Sequence, residues 1–297
     1  MPDDPARVQH SPAQRPGRSR RARLSRARRR RRLLLPAGAL LVLVLFLLSR
    51  ALGGSGGGGA AGSASAGAVR TVLTARTSSP LPAPISGESA AAVPGGLLIL
   101  GGLDSTEASV SGVFLLDPAS GKLNPAGALS GPLHDAAATT LADQVLVFGG
   151  GTESSTDVVQ SLPAASSAGT TATAVGHLPA VRSDLSAVTI GTKAYVLGGY
   201  DGSNPDPAVL ATSDGSHFSH VADLPVPARY IATVALGGRI FAFGGETGEG
   251  GATDVIQEVD PAGGKARVVG HLPQATSHAA AVVLGGSVYI LGGEANG

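Results

Sequence analysis

The sequence predicts an all-β array of four-stranded antiparallel blades, the β-propeller class, preceded by one transmembrane helix. Three observations predict it. A Gly-Gly doublet recurs five times, as Gly101-Gly102, Gly149-Gly150, Gly198-Gly199, Gly244-Gly245 and Gly292-Gly293, each 20 residues after a Leu (Leu81, Leu129, Leu178, Leu224, Leu272). Four apolar residues precede every doublet (LLIL, VLVF, AYVL, IFAF, VYIL), and the doublets advance by 48, 49, 46 and 48 residues, a spacing that belongs to propeller blades rather than to short helical repeats. Finally, residues 33–48 form one uncharged apolar stretch ahead of all five repeats.

Residues 1–32 hold twelve Arg, ending in the run Arg28 to Arg32, with no apolar period. Such a segment reads as a basic, disordered cytoplasmic tail, because it has nothing to bury and its positive flank sets topology. The segment 33–52 reads as a transmembrane signal anchor in contact with membrane lipid. Sixteen residues make roughly 24 Å of helix, short of a hydrocarbon core of about 30 Å, but Arg32 and Arg50 can snorkel and Ala51-Leu52 lengthens the span. Pro36 sits in the first turn, where a missing N–H costs little. The alternative is a signal peptide and a secreted protein, with Ala64-Ser65-Ala66 as a small-x-small cleavage site far beyond the apolar core. Residues 53–68 contain Gly, Ala and Ser alone, a flexible linker about 20–24 Å from end to end.

Charge divides the chain at the same point. Residues 1–50 carry 13 Arg against Asp3 and Asp4, whereas the remainder has 9 Lys or Arg against 19 Asp or Glu. An acidic outer domain excludes nucleic acid as its partner, since phosphate contact needs a basic face. The absence of Cys excludes disulfides, thiol catalysis and zinc–thiolate sites.

Residues 69–297 form the repeat domain. Strand a ends at Val93, Leu141, Ile190, Leu236 or Leu284; a short turn follows, and strand b runs into the doublet. After a variable polar loop comes strand c, as in GVFLLD (112–117) and DVIQEVD (254–260), then a turn such as DPASGK or DPAGGK, strand d and the repeat Leu. The doublet glycines are expected where the chain needs positive φ or an approach to backbone that a Cβ would block. No helix and no Lys follows them, so they are not read as a phosphate cradle.

In VYILGGEANG, AYVLGGYDG, IFAFGGETG, VLVFGGGTE and LLILGGLDS, together with the DPASGK and DPAGGK turns, the chain resembles the kelch repeat family of β-propellers. The family commonly places a Trp in strand d; here the corresponding positions are Leu123, Ala172, Phe218 and Ala266. The resemblance implies that residues 69–81, which match a lone strand d, join the last blade of a ring. Four complete blades plus a partial one are visible, and the expectation is a product truncated from six or seven.

Antiparallel strands bring the b–c and d–a loops to one end and the a–b and c–d turns to the other. The loop end is the candidate ligand face, because binding residues sit preferentially on variable loops. Its d–a loops carry His134, Asp135, Arg182, Asp184, Arg229, Tyr230 and His278, and its b–c loops Asp104, Glu107, Glu153, Tyr200, Asp201, Glu246 and Glu249. In a sugar or peptide site, Arg182 and Arg229 would hold carboxylates and Tyr230 would offer a stacking face. His177 and His271 recur at one repeat position and read as scaffold. No cofactor, metal site or catalytic set is expected from the residues.

The function expected is a membrane-anchored extracytoplasmic module that binds or scaffolds protein or carbohydrate through this face. One alternative is a carbohydrate-active kelch-type enzyme such as a sialic acid mutarotase, with Arg182, Arg229 and His278 as the nearest candidates. Another is a truncated fragment without function of its own.

Overall fold

The computed structural model describes residues 81 and 83–295. The tail, membrane span and linker expected over 1–68 and, Leu81 excepted, the N-terminal strand expected over 69–81 lie outside the described residues. Among the described residues no helix is long and apolar enough to cross a membrane.

Among the described residues eighteen strands form four antiparallel four-stranded sheets and one two-stranded sheet. The first sheet is β1 (Ser89–Val93), β2 (Gly96–Leu100), β3 (Gly112–Leu116) and β4 (Leu123–Ala128). The second is β5 (Ala137–Leu141), β6 (Gln144–Phe148), β7 (Val158–Pro163) and β8 (Thr173–His177). The third is β9 (Ser186–Ile190), β10 (Lys193–Leu197), β11 (Ala208–Thr212) and β12 (Ser219–Asp223). The fourth is β13 (Ala232–Leu236), β14 (Arg239–Phe243), β15 (Val255–Asp260) and β16 (Lys265–His271). β17 (Ser277–Leu284) pairs with β18 (Ser287–Glu294). All five predicted ends of strand a coincide with the observed ends. The difference lies in the fifth unit: β18 continues through Gly292-Gly293 to Glu294, whereas β2, β6, β10 and β14 stop before their doublets.

Consecutive sheets stand side by side through their first strands, β1 against β5, β5 against β9, β9 against β13 and β13 against β17. Among the described residues this array does not close into a ring. Each junction has its own apolar core. Between the first two sheets Leu98, Leu100 and Val113 meet Val145, Val147 and Leu162; at the third junction Leu197 and Val209 meet Ile240 and Val259. The alternation of each strand therefore buries both faces of an inner sheet, and the core is a series of interfaces rather than one centre. The strand-d positions Ala172 and Phe218 fill their junctions with less volume than a Trp would. Ala172 is buried in the first junction, and Phe218 meets Phe148 edge-on, with centroids 6.2 Å apart and planes at 78°.

Every outer strand of the four complete sheets carries a β-bulge at the same place, opposite Val113/Phe114, Val159/Gln160, Val209/Leu210 and Ile256/Gln257. One extra residue increases local twist, so four equal bulges give the blades one shape.

The doublets work through their neighbours. The second glycine donates its N–H to the d–a loop that follows, Gly102 to Leu133 O (2.7 Å), Gly150 to Arg182 O (2.9 Å), Gly199 to Ala228 O (3.1 Å) and Gly245 to Thr276 O (2.8 Å). A Cβ on Gly149 or Gly244 would lie 2.1 or 2.0 Å from that same carbonyl oxygen. Both glycines have positive φ in all five copies. The doublet is thus a clamp on the loop carrying the candidate site, at a distance no side chain permits.

Candidate functional site at the loop end

One residue after each doublet pairs in a short antiparallel bridge with the d–a loop: Ser86 with Leu103, His134 with Gly151, Ser183 with Tyr200 and Arg229 with Glu246. The next loop residue turns left-handed. Gly87 (φ 62), Asp135 (φ 53), Asp184 (φ 58), Tyr230 (φ 54) and His278 (φ 56) occupy this position, each 14 residues before its doublet. Their backbones form a relay across the sheets. Asp135 N–H donates to Gly87 O (2.8 Å), Asp184 to Asp135 O (2.8 Å), Tyr230 to Asp184 O (2.9 Å) and His278 to Tyr230 O (3.2 Å). Consecutive residues of the relay, though 46 to 49 positions apart in sequence, become neighbours in space.

Their side chains gather into one cluster. The carboxyl groups of Asp135 and Asp184 lie within hydrogen-bonding reach of each other, and Asp184 also meets the Tyr230 hydroxyl. The Tyr230 and His278 rings stack with centroids 3.7 Å apart and planes at 26°. Arg229 lies with its guanidinium 5.0 Å from the Tyr200 ring centroid and 5.1 Å from that of Tyr230. It donates through Nε (3.1 Å) and Nη2 (2.9 Å) to Glu246 Oε2, and through Nη1 to Asp184 Oδ2 (3.3 Å). Glu246 Oε1 stands 4.0 Å from His278 Nδ1.

Burial and like charge set the protonation of this cluster. Burial first, then the neighbouring Asp184, pushes the Asp135 carboxyl up to about 6. Burial raises Asp184 too, against the opposing pull of Arg229. The Tyr230 hydroxyl is held well above its ordinary value by burial and by the carboxylates of Asp184 and Asp135. For Asp135 the folded state holds its proton more tightly than the unfolded chain, so its contribution to stability falls as pH rises from about 4 to about 6 and is flat beyond. Asn keeps the donor and tolerates the left-handed backbone. D135N is therefore expected to flatten this part of the stability–pH profile and to raise the melting temperature near pH 7.5 by about 2–4 °C, the shift that about 1 kcal/mol gives in a domain of this size. Thermal melts across pH check this.

The residues read as candidates from sequence separate into two groups. Asp135, Asp184, Tyr200, Arg229, Tyr230 and His278 come together at the mouth. His134 lies beside it, its Nε2 3.8 Å from Asp135 Oδ2 and its Nδ1 2.8 Å from Ser109 Oγ. Asp201 serves its own loop: its Oδ1 accepts from the N–H groups of Ser203 and Asn204, both at 2.7 Å, and those bonds hold its pKa below the ordinary value.

Arg182 requires a correction. It does not face a ligand; it is 2 % exposed, and its guanidinium donates to Gly198 O (3.3 Å), Ala208 O (3.0 Å) and the carboxylate of Asp206. Glu246 enters the cluster as strongly as any residue named for the mouth, although the loop spacing gave it no special place. The signal for it is its pairing distance: the residue two after the first doublet glycine bridges the residue 15 before that glycine.

His177 and His271 repeat one arrangement, with Nδ1 3.1 Å from Asp157 Oδ1 and 3.0 Å from Asp254 Oδ1, at the outer end of strand d. Asp214 accepts at Oδ1 from the N–H groups of Ser216 and His217, both at 2.8 Å, and so closes the β11–β12 hairpin.

No family model matches the chain, and no curated protein matches it. Fold and site define a repeat-sheet protein whose successive sheets deliver equivalent loop residues to one polar mouth.

Proposed function

We propose that this chain is a recognition module of the kelch-like propeller class, carried outside the cell on a membrane anchor, and that it takes its ligand at the loop-end mouth. One observation carries the reading. Four of five equivalent left-handed positions hold Asp, Asp, Tyr and His, although glycine, present at Gly87, fits that backbone without strain. A non-glycine residue there costs on the order of 1 kcal/mol, more for Tyr than for Asp or His. Apart from Glu107 and Ala142, which stand in other loops and turns, the described non-glycine residues with positive φ share this one register and converge on a mouth, the pattern of a site kept for what it contacts.

The ligand classes are protein and glycan, matched by a stacked aromatic pair, an oriented guanidinium and a carboxyl pair. The mutarotase alternative loses Arg182 to the interior and retains Arg229 and His278.

The test is a panel of cell-wall glycans and secreted polypeptides against the full chain in detergent, repeated with His278→Gly. The expected result is a binder whose affinity falls at least tenfold in the variant while the melting temperature holds or rises, because glycine relaxes φ. A panel without any binder, or binding that His278→Gly leaves unchanged, overturns the reading.

A further inference from the structure

Charge in the described residues is segregated by end. The turn end is balanced: Asp117, Asp143, Asp214, Glu258 and Asp260 share it with Lys122, Lys193, Arg239, Lys265 and Arg267. The other fourteen Asp and Glu lie toward the loop end, where Arg182 and Arg229 alone oppose them among the described residues. Arg182 is consumed internally by Asp206, so the mouth sits in a strongly negative field. Acidic residues that served solubility would be spread over both ends. A field confined to one end steers and selects a positive partner.

A second observation is independent of that count. The mouth already recognises one guanidinium, its own Arg229, between two tyrosine rings and two carboxylates. Asp135 stands beside this arrangement without Lys or Arg in salt-bridge contact among the described residues. The groups that face it are Asp184 from the loop before β9, Arg229 and Tyr230 from the loop before β13, His278 at the start of β17 and His134 from its own loop. Next to it, Gly87 has no side chain, and a Cβ there would come within 2.8 Å of Asp135 Oδ1. The position offers an anion with aromatic faces nearby, and the Arg229 that faces it is already paired with Glu246 and Asp184.

We infer that the loop end docks a basic polypeptide segment and that one of its Lys or Arg side chains enters the mouth against Asp135 and the Tyr230–His278 stack. The inference rests on the recognition reading above and names its partner class. The negative field supplies fast encounter and rejection of acidic partners; the mouth supplies the anchored contact, where a cation meets an aromatic face and a half-buried carboxylate.

The probe is a labelled octapeptide of Lys and Arg, compared with a neutral Ser/Gly octapeptide, on the full chain in non-ionic detergent at about 0.15 M salt. Ordinary exposed carboxylates are mostly ionised by about pH 5, so their attraction changes little above it, whereas Asp135 gains its charge between about pH 5 and pH 7.5. The basic peptide is expected to bind and the neutral one not. Its affinity should rise about tenfold over that range, the value of one hydrogen bond to a charged group. D135N should remove most of the rise and D214N, on the turn end, none of it. The part that survives in D135N belongs to Asp184, whose pKa burial also raises.

Absence of basic-peptide binding, a pH rise unchanged in D135N, or equal weakening by D214N each overturns the inference. The two readings fail separately. A glycan that binds and requires His278, with no basic-peptide binding, leaves the recognition site standing and removes the basic partner. Peptide binding indifferent to both D135N and His278→Gly removes the mouth itself.

Discussion

Replacing Arg182 with Met is expected to lower the melting temperature by roughly 10 °C, the equivalent of about 3–5 kcal/mol. The guanidinium is almost wholly buried, and burial lowers its pKa from the ordinary value, yet Asp206 at its side keeps the charge compensated. Met fills much of the same volume, so packing is not the main loss. Two carbonyls, Gly198 O and Ala208 O, lose a donor, and Asp206, with a side chain 16 % exposed, is left as an unpaired carboxylate. Breaking a buried pair by removing one partner is the costly direction. A second change, Asp206→Asn, removes the stranded charge while an oxygen remains to accept from Ala208 N–H. The double variant is therefore expected to recover about half of the lost stability, and chemical denaturation of the three proteins measures it. A loss under about 1 kcal/mol for R182M would show the pair to be dispensable.

The same residue marks where sequence reasoning reached its limit. A charged side chain in a variable loop reads as solvated, and nothing near Arg182 in the chain contradicts that. Its partners come from the next unit, 16, 24 and 26 residues on, and they surround it only once β9, β10 and β11 form a sheet. Tyr230 and His278 show the complementary case. Their repeat register, 14 residues before a doublet, is readable, and it places them at one end of the array. Their left-handed backbone is not readable, because only Gly87 among the five positions carries the residue that announces such a turn. The strands, by contrast, are nearly all legible. Each is a short apolar run bounded by Gly, Pro or Asp, and the terminal residue of strand a follows directly from the turn after it. What local pattern encodes was visible, and what one blade does to the next was not.

Gly244→Ala is expected to cost about 3–5 kcal/mol and to disable the mouth, whereas Gly292→Ala costs about 1 kcal/mol. Both glycines have φ near the same value, 60° and 66°, so the left-handed penalty for a Cβ is common to them. Their surroundings differ. A Cβ on Gly244 would stand 2.0 Å from Thr276 O and 3.2 Å from Thr253 O, both backbone atoms; around Gly292 nothing lies within 4 Å. The difference between the two variants therefore isolates the clash. Thr276 O is the acceptor for Gly245 N–H, so relieving the clash moves the loop away from its clamp. That loop leads two residues later to His278, whose ring covers Tyr230, and from there the relay runs to Asp184 and Asp135. One methyl group at the end of β14 should consequently weaken ligand binding without touching any ligand. Gly292→Ala, at the same register, should leave binding within a factor of about two. Equal losses in the two variants would mean that the doublet serves the backbone alone, and the link drawn here between the repeat signature and the mouth would fall.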